Sequence, residues 1–119
     1  MVIDLNRDGE LKASITAICD EAAAAVKDGK VVVILSDRGI SSDKQPVHAA
    51  LATGAVHHRL IEEGLRCDAN IVVETASARD PHHFACLIGF GATAVYPYLA
   101  FDVICDLVRT GEVLMDPID

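Results

Sequence analysis

Apolar residues recur along this chain in two alternating rhythms, short unbroken runs and longer stretches repeating every three to four positions. Such runs predict buried strands, and the longer period predicts helices with one apolar face. Asp8 is placed to cap a first helix whose stripe is Leu11, Ile15, Ile18, Ala22 and Val26, and Asp28-Gly29 supplies its left-handed stop. Val31 to Leu35 follows as a wholly apolar strand. A second helix is predicted from about Asp43 and Pro46, with Val47, Leu51, Gly54, His58, Ile61 and Leu65 on its inner face. Gly64 can end it. Ile71 to Glu74 forms a second strand, Pro81 opens a third helix through Phe84, Leu87 and Ile88, and Ala92 to Tyr96 makes a third strand. A last helix runs from about Tyr98 to Arg109 with Ile104, Leu107 and Val108 facing in, and Gly111 ends it.

Each connection between strands is long enough to hold a helix, so three parallel strands joined by right-handed crossovers are expected. The class is therefore α/β: a small parallel sheet with helices on both faces, resembling part of an incomplete barrel or a Rossmann-like unit. A length of 119 residues allows one core, hence one domain over residues 1–119. The composition suits this: 51% of residues are hydrophobic but only 4% aromatic, so Ala, Val, Ile and Leu fill the core.

Charge and cysteine content narrow the function. A net charge of -8 argues against nucleic acid as partner, because phosphate backbones demand clustered Lys and Arg. The cysteines Cys19, Cys67, Cys86 and Cys105 stand 48, 19 and 19 residues apart, unlike zinc or iron-sulfur spacings, and read as reduced, mostly buried thiols. The amino-terminal segment has acidic residues and no apolar run, so a secretory signal is not expected and a cytoplasmic location is. Residues 81–101 lack Lys, Arg, Asp and Glu, but Pro97, two histidines, Gly89 and Gly91 break the stretch, and no membrane span is expected.

Chemistry in parallel α/β folds gathers on the loops that follow strand carboxyl ends. Those loops here carry Asp37, Arg38, Glu74, Thr75, Arg79, His82 and His83. The set suits either of two roles. It can hold a polar ligand, with Arg38 and Arg79 as anion clamps, or it can be a network of ion pairs and caps that organises its own loops, the reading favoured here. His82 and Cys86 are spaced i, i+4, yet no further metal-ligand motif accompanies them, so no metal is expected. His58 lies in the predicted stripe and is expected buried, with His57 flanking or exposed. Gly89-Phe90-Gly91 lacks the third glycine of a dinucleotide loop and precedes a strand, and no G-x-S-x-G elbow is present.

Larger blocks of sequence carry a resemblance. Ile34-Leu35-Ser36-Asp37-Arg38, Leu51-Ala52-Thr53-Gly54-Ala55-Val56-His57-His58 with Gly64-Leu65-Arg66, Val72-Val73-Glu74-Thr75 with Arg79, His82-His83-Phe84-Ala85, Gly89-Phe90-Gly91-Ala92 and Pro97-Tyr98-Leu99-Ala100-Phe101 occur in that order. Together they closely resemble the central domain of the glutamate synthase large subunit, which lies between an amidotransferase domain and an FMN-binding synthase domain. That resemblance implies a scaffold or coupling role in an oxidoreductase that converts glutamine and 2-oxoglutarate into two glutamates. It implies FMN, an iron-sulfur cluster and NAD(P)H or ferredoxin in the parent enzyme, and none of these cofactors in this chain. Its partners would be the other domains of the subunit, with self-association when isolated. Where the family usually reads Thr-Gly-Glu-Ala-Arg, this chain has Thr75-Ala76-Ser77-Ala78-Arg79. The alternative is a free-standing module that binds an anionic metabolite at the strand-end edge. A metal-dependent enzyme using His82 and His83 is the more distant rival.

Overall fold

Strands and helices alternate through residues 1–114, the part that the computed structural model describes. In chain order the elements are β1 (Val2–Asp4), β2 (Asn6–Arg7), α1 (Leu11–Lys27), β3 (Val32–Ser36), β4 (Gln45–Pro46), α2 (Ala49–Glu62), a 3-10 turn (Arg66–Asp68), β5 (Asn70–Glu74), α3 (Pro81–Gly89), β6 (Ala94–Tyr96) and α4 (Tyr98–Arg109). The strands β1, β3, β5 and β6 form one parallel sheet in that order, and β2 pairs antiparallel with β4. No helix among the described residues is long and apolar enough to cross a membrane.

The α/β class with a small parallel sheet and helical crossovers is as expected, but the sheet has four strands rather than three. Val2–Asp4 is only three residues long, too short for a periodic signal, yet it pairs Val2, Ile3 and Asp4 with Ile34, Leu35 and Ser36. The helix behind it starts at Leu11 with Glu10 as an N-cap that makes no side-chain bond, so Asp8 is not the cap. Its end is as predicted: Gly29 N–H donates to Val26 O and Lys30 N–H to Ala25 O, the two bonds of a Schellman stop.

Helix placement departs from expectation. Ile3, Val33, Leu35, Ile71 and Val73 are at most 1% exposed, each contributing about 1.5–3 kcal/mol by burial, while the alternate positions Val2, Val32, Asn70 and Tyr96 are exposed. They bury against α1, α2 and α3, which pack side by side along one face. A chain that always steps the same way across a sheet, with right-handed crossovers, lays every crossover helix on one side; coverage of both faces needs a reversal of direction. The opposite face therefore carries none of the crossover helices.

α2 is also rotated from the predicted stripe. Ala49, Ala52, Thr53, Val56 and Leu60 are buried, whereas Leu51 and Ile61 are 46% and 50% exposed. His58, expected inside, is exposed and His57 is half-buried. Ala49, Ala52 and Thr53 join Val56 and Leu60 in the core that α2 shares with Ala22 and Ala23 of α1, and Leu51 and Ile61 point away. In α3 only Leu87 is buried; Phe84 is half-buried and Ile88 is 59% exposed. α4 has no buried residue: Ile104 is 50% exposed, and Leu107 and Val108 are half-buried.

Candidate functional site

Register places Asp4, Ser36, Glu74 and Tyr96 in one row at the carboxyl ends of the four parallel strands. The next residue of β3's chain, Asp37, is 5% exposed. Its backbone N–H donates to Glu74 O at 3.1 Å, prolonging the ladder by one bond and turning the carboxylate inward. That carboxylate then accepts from Thr75 Oγ1 at 2.5 Å, from Ala76 N–H at 3.1 Å and from Tyr98 Oη at 2.9 Å. Thr75 follows β5 and Tyr98 follows β6, so one buried carboxylate ties together the loops after three strands. A charge removed from water is tolerated when several donors surround it, and here they do.

Arg38 and Glu74 complete the edge. Arg38 Nε lies 2.9 Å from Glu74 Oε1, and its guanidinium stacks over the Tyr98 ring at 4.7 Å. Ser36 Oγ donates to the other Glu74 oxygen at 2.5 Å. Asp37, Arg38, Glu74 and Thr75 are thus matched to one another and to Ser36, Ala76 and Tyr98.

Tyr98 reports on this network through its acidity. Burial first, and then its bond to the Asp37 carboxylate, push the phenol up to about 12. The unfolded chain loses this proton near pH 10 while the fold retains it, so the protonated phenol stabilises fully below about pH 10 and that contribution is lost as pH climbs toward 12. A urea series should show stability falling between about pH 10 and 12, with a Tyr98 share of order 1 kcal/mol once solvent access is allowed for. Tyr98→Phe should be less stable at pH 8 and fall less steeply. Parallel slopes would place the titration elsewhere.

Arg79, His82 and His83 stand apart from the matched residues. Arg79 is exposed, and among the described residues its guanidinium has no hydrogen-bond or ion-pair partner; only its backbone N–H bonds, to His83 Nδ1 at 3.2 Å. The expectation that Arg79 would reach Asp37 does not hold, because Ala78 is buried and the backbone leaves the edge before Arg79. Asp80 instead caps α3 by accepting from His83 N–H at 2.9 Å, a bond that holds its carboxyl below the usual range. His82 Nε2 lies 3.6 Å from Cys86 Sγ. No group of three or more His, Cys, Asp or Glu with metal-holding geometry occurs among the described residues.

A second cluster, at the opposite end of the strands, escaped sequence reasoning. Arg66 donates through Nε to His57 Nδ1 at 2.9 Å, through one terminal nitrogen to Ala69 O at 2.8 Å and through the other to Gly91 O at 2.9 Å. It joins α2, the start of β5 and the turn into β6. Burial, then Arg66, then His58 push His57 down, so the neutral ring stays an acceptor. No local pattern signals it, because Glu62, Glu63 and Asp68 stand close to Arg66 in the sequence as more obvious partners than a histidine and two carbonyls.

Residues 1–118 match the family model described as the glutamate synthase central domain. The chain is 50% identical over 93 residues, 76% of its length, to the ferredoxin-dependent glutamate synthase of Pyropia yezoensis. It is 44% identical over 97 residues, 82% of its length, to the NADH glutamate synthase of Schizosaccharomyces pombe. Over 119 residues, covering 89% of the chain, it is 40% identical to the chloroplastic ferredoxin-dependent glutamate synthase of Spinacia oleracea. It spans only 6%, 5% and 7% of these relatives. The chain belongs to the glutamate synthase central domain family.

Proposed function

We propose that this chain is a single domain that works as a non-catalytic part of a glutamate synthase, helping to connect a glutaminase site with an FMN site. The saturation of Asp37 carries the reading. A carboxylate whose acceptor sites are taken by donors from two loops beside its own has little left to offer as a general base, yet it sets the spacing of the three loops. Neither flavin nor cluster chemistry fits these residues. The space beside Gly91, where a phosphate would approach a glycine turn, is filled by the His57 ring. Cys19 is buried and Cys67 and Cys105 are exposed, and no converging ligand set includes them among the described residues.

Purified chain should therefore bind no FMN and release no ammonia from glutamine. A yellow protein with stoichiometric flavin, or measurable glutaminase activity, would refute the reading. Partners on this view are other domains of the same subunit, and the isolated chain should self-associate through apolar surface that those domains would cover. Tyr96, Phe101, Val103 and Ile104, at 44% to 50% exposure, are the principal contributors. Sedimentation at high micromolar concentration should reveal dimers or larger species, and a clean monomer would count against this contact.

A further inference from the structure

Between the loop that leads into α2 and the loop that leads into α3 lies a cleft of about 200 Å³. Its polar lining is His48, Ser77, Arg79 and His83, with Cys86 and Leu87 beside them. In a chain with 18 Asp and Glu and a net charge of -8, this lining contains no carboxylate.

The hydrogen bonds around the cleft leave it rich in donors. His48 Nδ1 accepts from Ala50 N–H at 3.3 Å, and His83 Nδ1 accepts from Arg79 N–H at 3.2 Å. An imidazole that accepts at Nδ1 carries its proton on Nε2, so each ring keeps an N–H to offer. Of the six arginines, five are engaged by acceptors: Arg7 by Glu21, Arg38 by Glu74, Arg59 by Asp20 and Glu63, Arg66 by His57 and two carbonyls, and Arg109 by Asp106. Arg79, which lines the cleft, is the exception among the described residues.

The nearby acids do not supply what is missing. Asp37 is committed to Thr75, Ala76 and Tyr98 in the adjoining hollow. Asp80 spends one oxygen on the His83 N–H, and its other oxygen is 3.6 Å from His83 Nε2, beyond a good hydrogen bond. Two imidazoles and a guanidinium fork lining one cavity that has no carboxylate in its wall are complementary to a planar or tetrahedral oxyanion.

We propose that this cleft binds a small oxyanion through a carboxylate or phosphate group, with Arg79 as the principal contact and His48 and His83 as supporting donors. The volume lies below the range of drug-sized pockets and suits a compact metabolite rather than a nucleotide. The site is separate from the saturated edge around Asp37, so it does not depend on the coupling role proposed above.

Long-range imidazole NMR spectra of the full chain, titrated separately with inorganic phosphate and with succinate at constant ionic strength, test this. Saturable shifts are expected at His48 and His83 but not at His57 or His58, and the anion that saturates identifies the ligand group. Arg79→Gln should raise the Kd at least about tenfold, the loss of one charge-assisted contact. Because the Arg79 guanidinium has no partner among the described residues, the Tm of this variant should stay at the parent value, and His83→Gln provides a second weakened variant. Failure of both anions to saturate, or an unchanged Kd in both variants, overturns the proposal.

Discussion

Asp37→Ala should cost the fold about 2 to 4 kcal/mol, far above the half kcal/mol typical of surface substitutions. The carboxylate is 5% exposed and accepts from Thr75 Oγ1, Ala76 N–H and Tyr98 Oη. Alanine leaves those donors facing an apolar gap, and each buried donor without a partner costs about 1–3 kcal/mol before the loops relax. Relaxation returns part of that, because Tyr98 is only half-buried and its hydroxyl can turn toward solvent. Asp37→Asn keeps the volume but points an N–H₂ at groups that are already donors, so it should be destabilised as well, by less. Urea denaturation measures both. A midpoint for Asp37→Ala that matches the parent would mean that the three loops hold their places without the carboxylate.

Gly91→Ala is expected to be the more severe change, at about 3 to 5 kcal/mol. Gly91 has φ +115°, a conformation that costs an L residue about 1–2 kcal/mol. The added Cβ would meet His57 Nδ1 at 2.4 Å, Cγ at 2.5 Å and Cβ at 2.9 Å. Rotating the ring does not relieve the contact, because the His57 Cβ does not move with χ1. Arg66 holds the ring from one side and the Gly91 carbonyl from the other, so shifting either partner breaks a bond of the other. Gly111→Ala is the control. Gly111 has φ +79° with open space around it, so that variant isolates backbone strain from collision. Equal losses in the two variants would show that His57 yields easily and that the Arg66 cluster is not rigid.

Much of the fold could be read from local rules, and each failure has a physical cause. Val32–Ser36 and Asn70–Glu74 were found within one residue because buried parallel strands are unbroken apolar runs. Asp80-Pro81 marked the start of α3, and the side-chain cap is present. The inner face of α2 differs from the one its periodicity predicts, because periodicity weighs large side chains, whereas close approach to α1 selects Ala49, Ala52 and Thr53 beside Val56 and Leu60. At the site, Asp37 and Glu74 could be brought together on paper since adjacent parallel strands end together. Arg79 could not be placed that way: it lies five residues past the end of β5, where strand register no longer constrains it. The His57, Arg66 and Gly91 cluster needs one helix and two turns to converge, and no pairwise pattern encodes that.

The strand order has a kinetic consequence. Each strand of the parallel sheet is hydrogen-bonded to the one that precedes it in the main ladder, β3 to β1, β5 to β3 and β6 to β5. No strand must wait for a later one to fill a place between two earlier ones, so the loops closed during assembly stay short and the entropy of closing them is met stepwise. A nascent chain can therefore lay down this sheet in the order of synthesis, each unit docking on an edge already formed. Until the next unit arrives that edge is open, and the most vulnerable interval is the one in which Val32–Ser36 has paired with Val2–Asp4 and still awaits Asn70–Glu74.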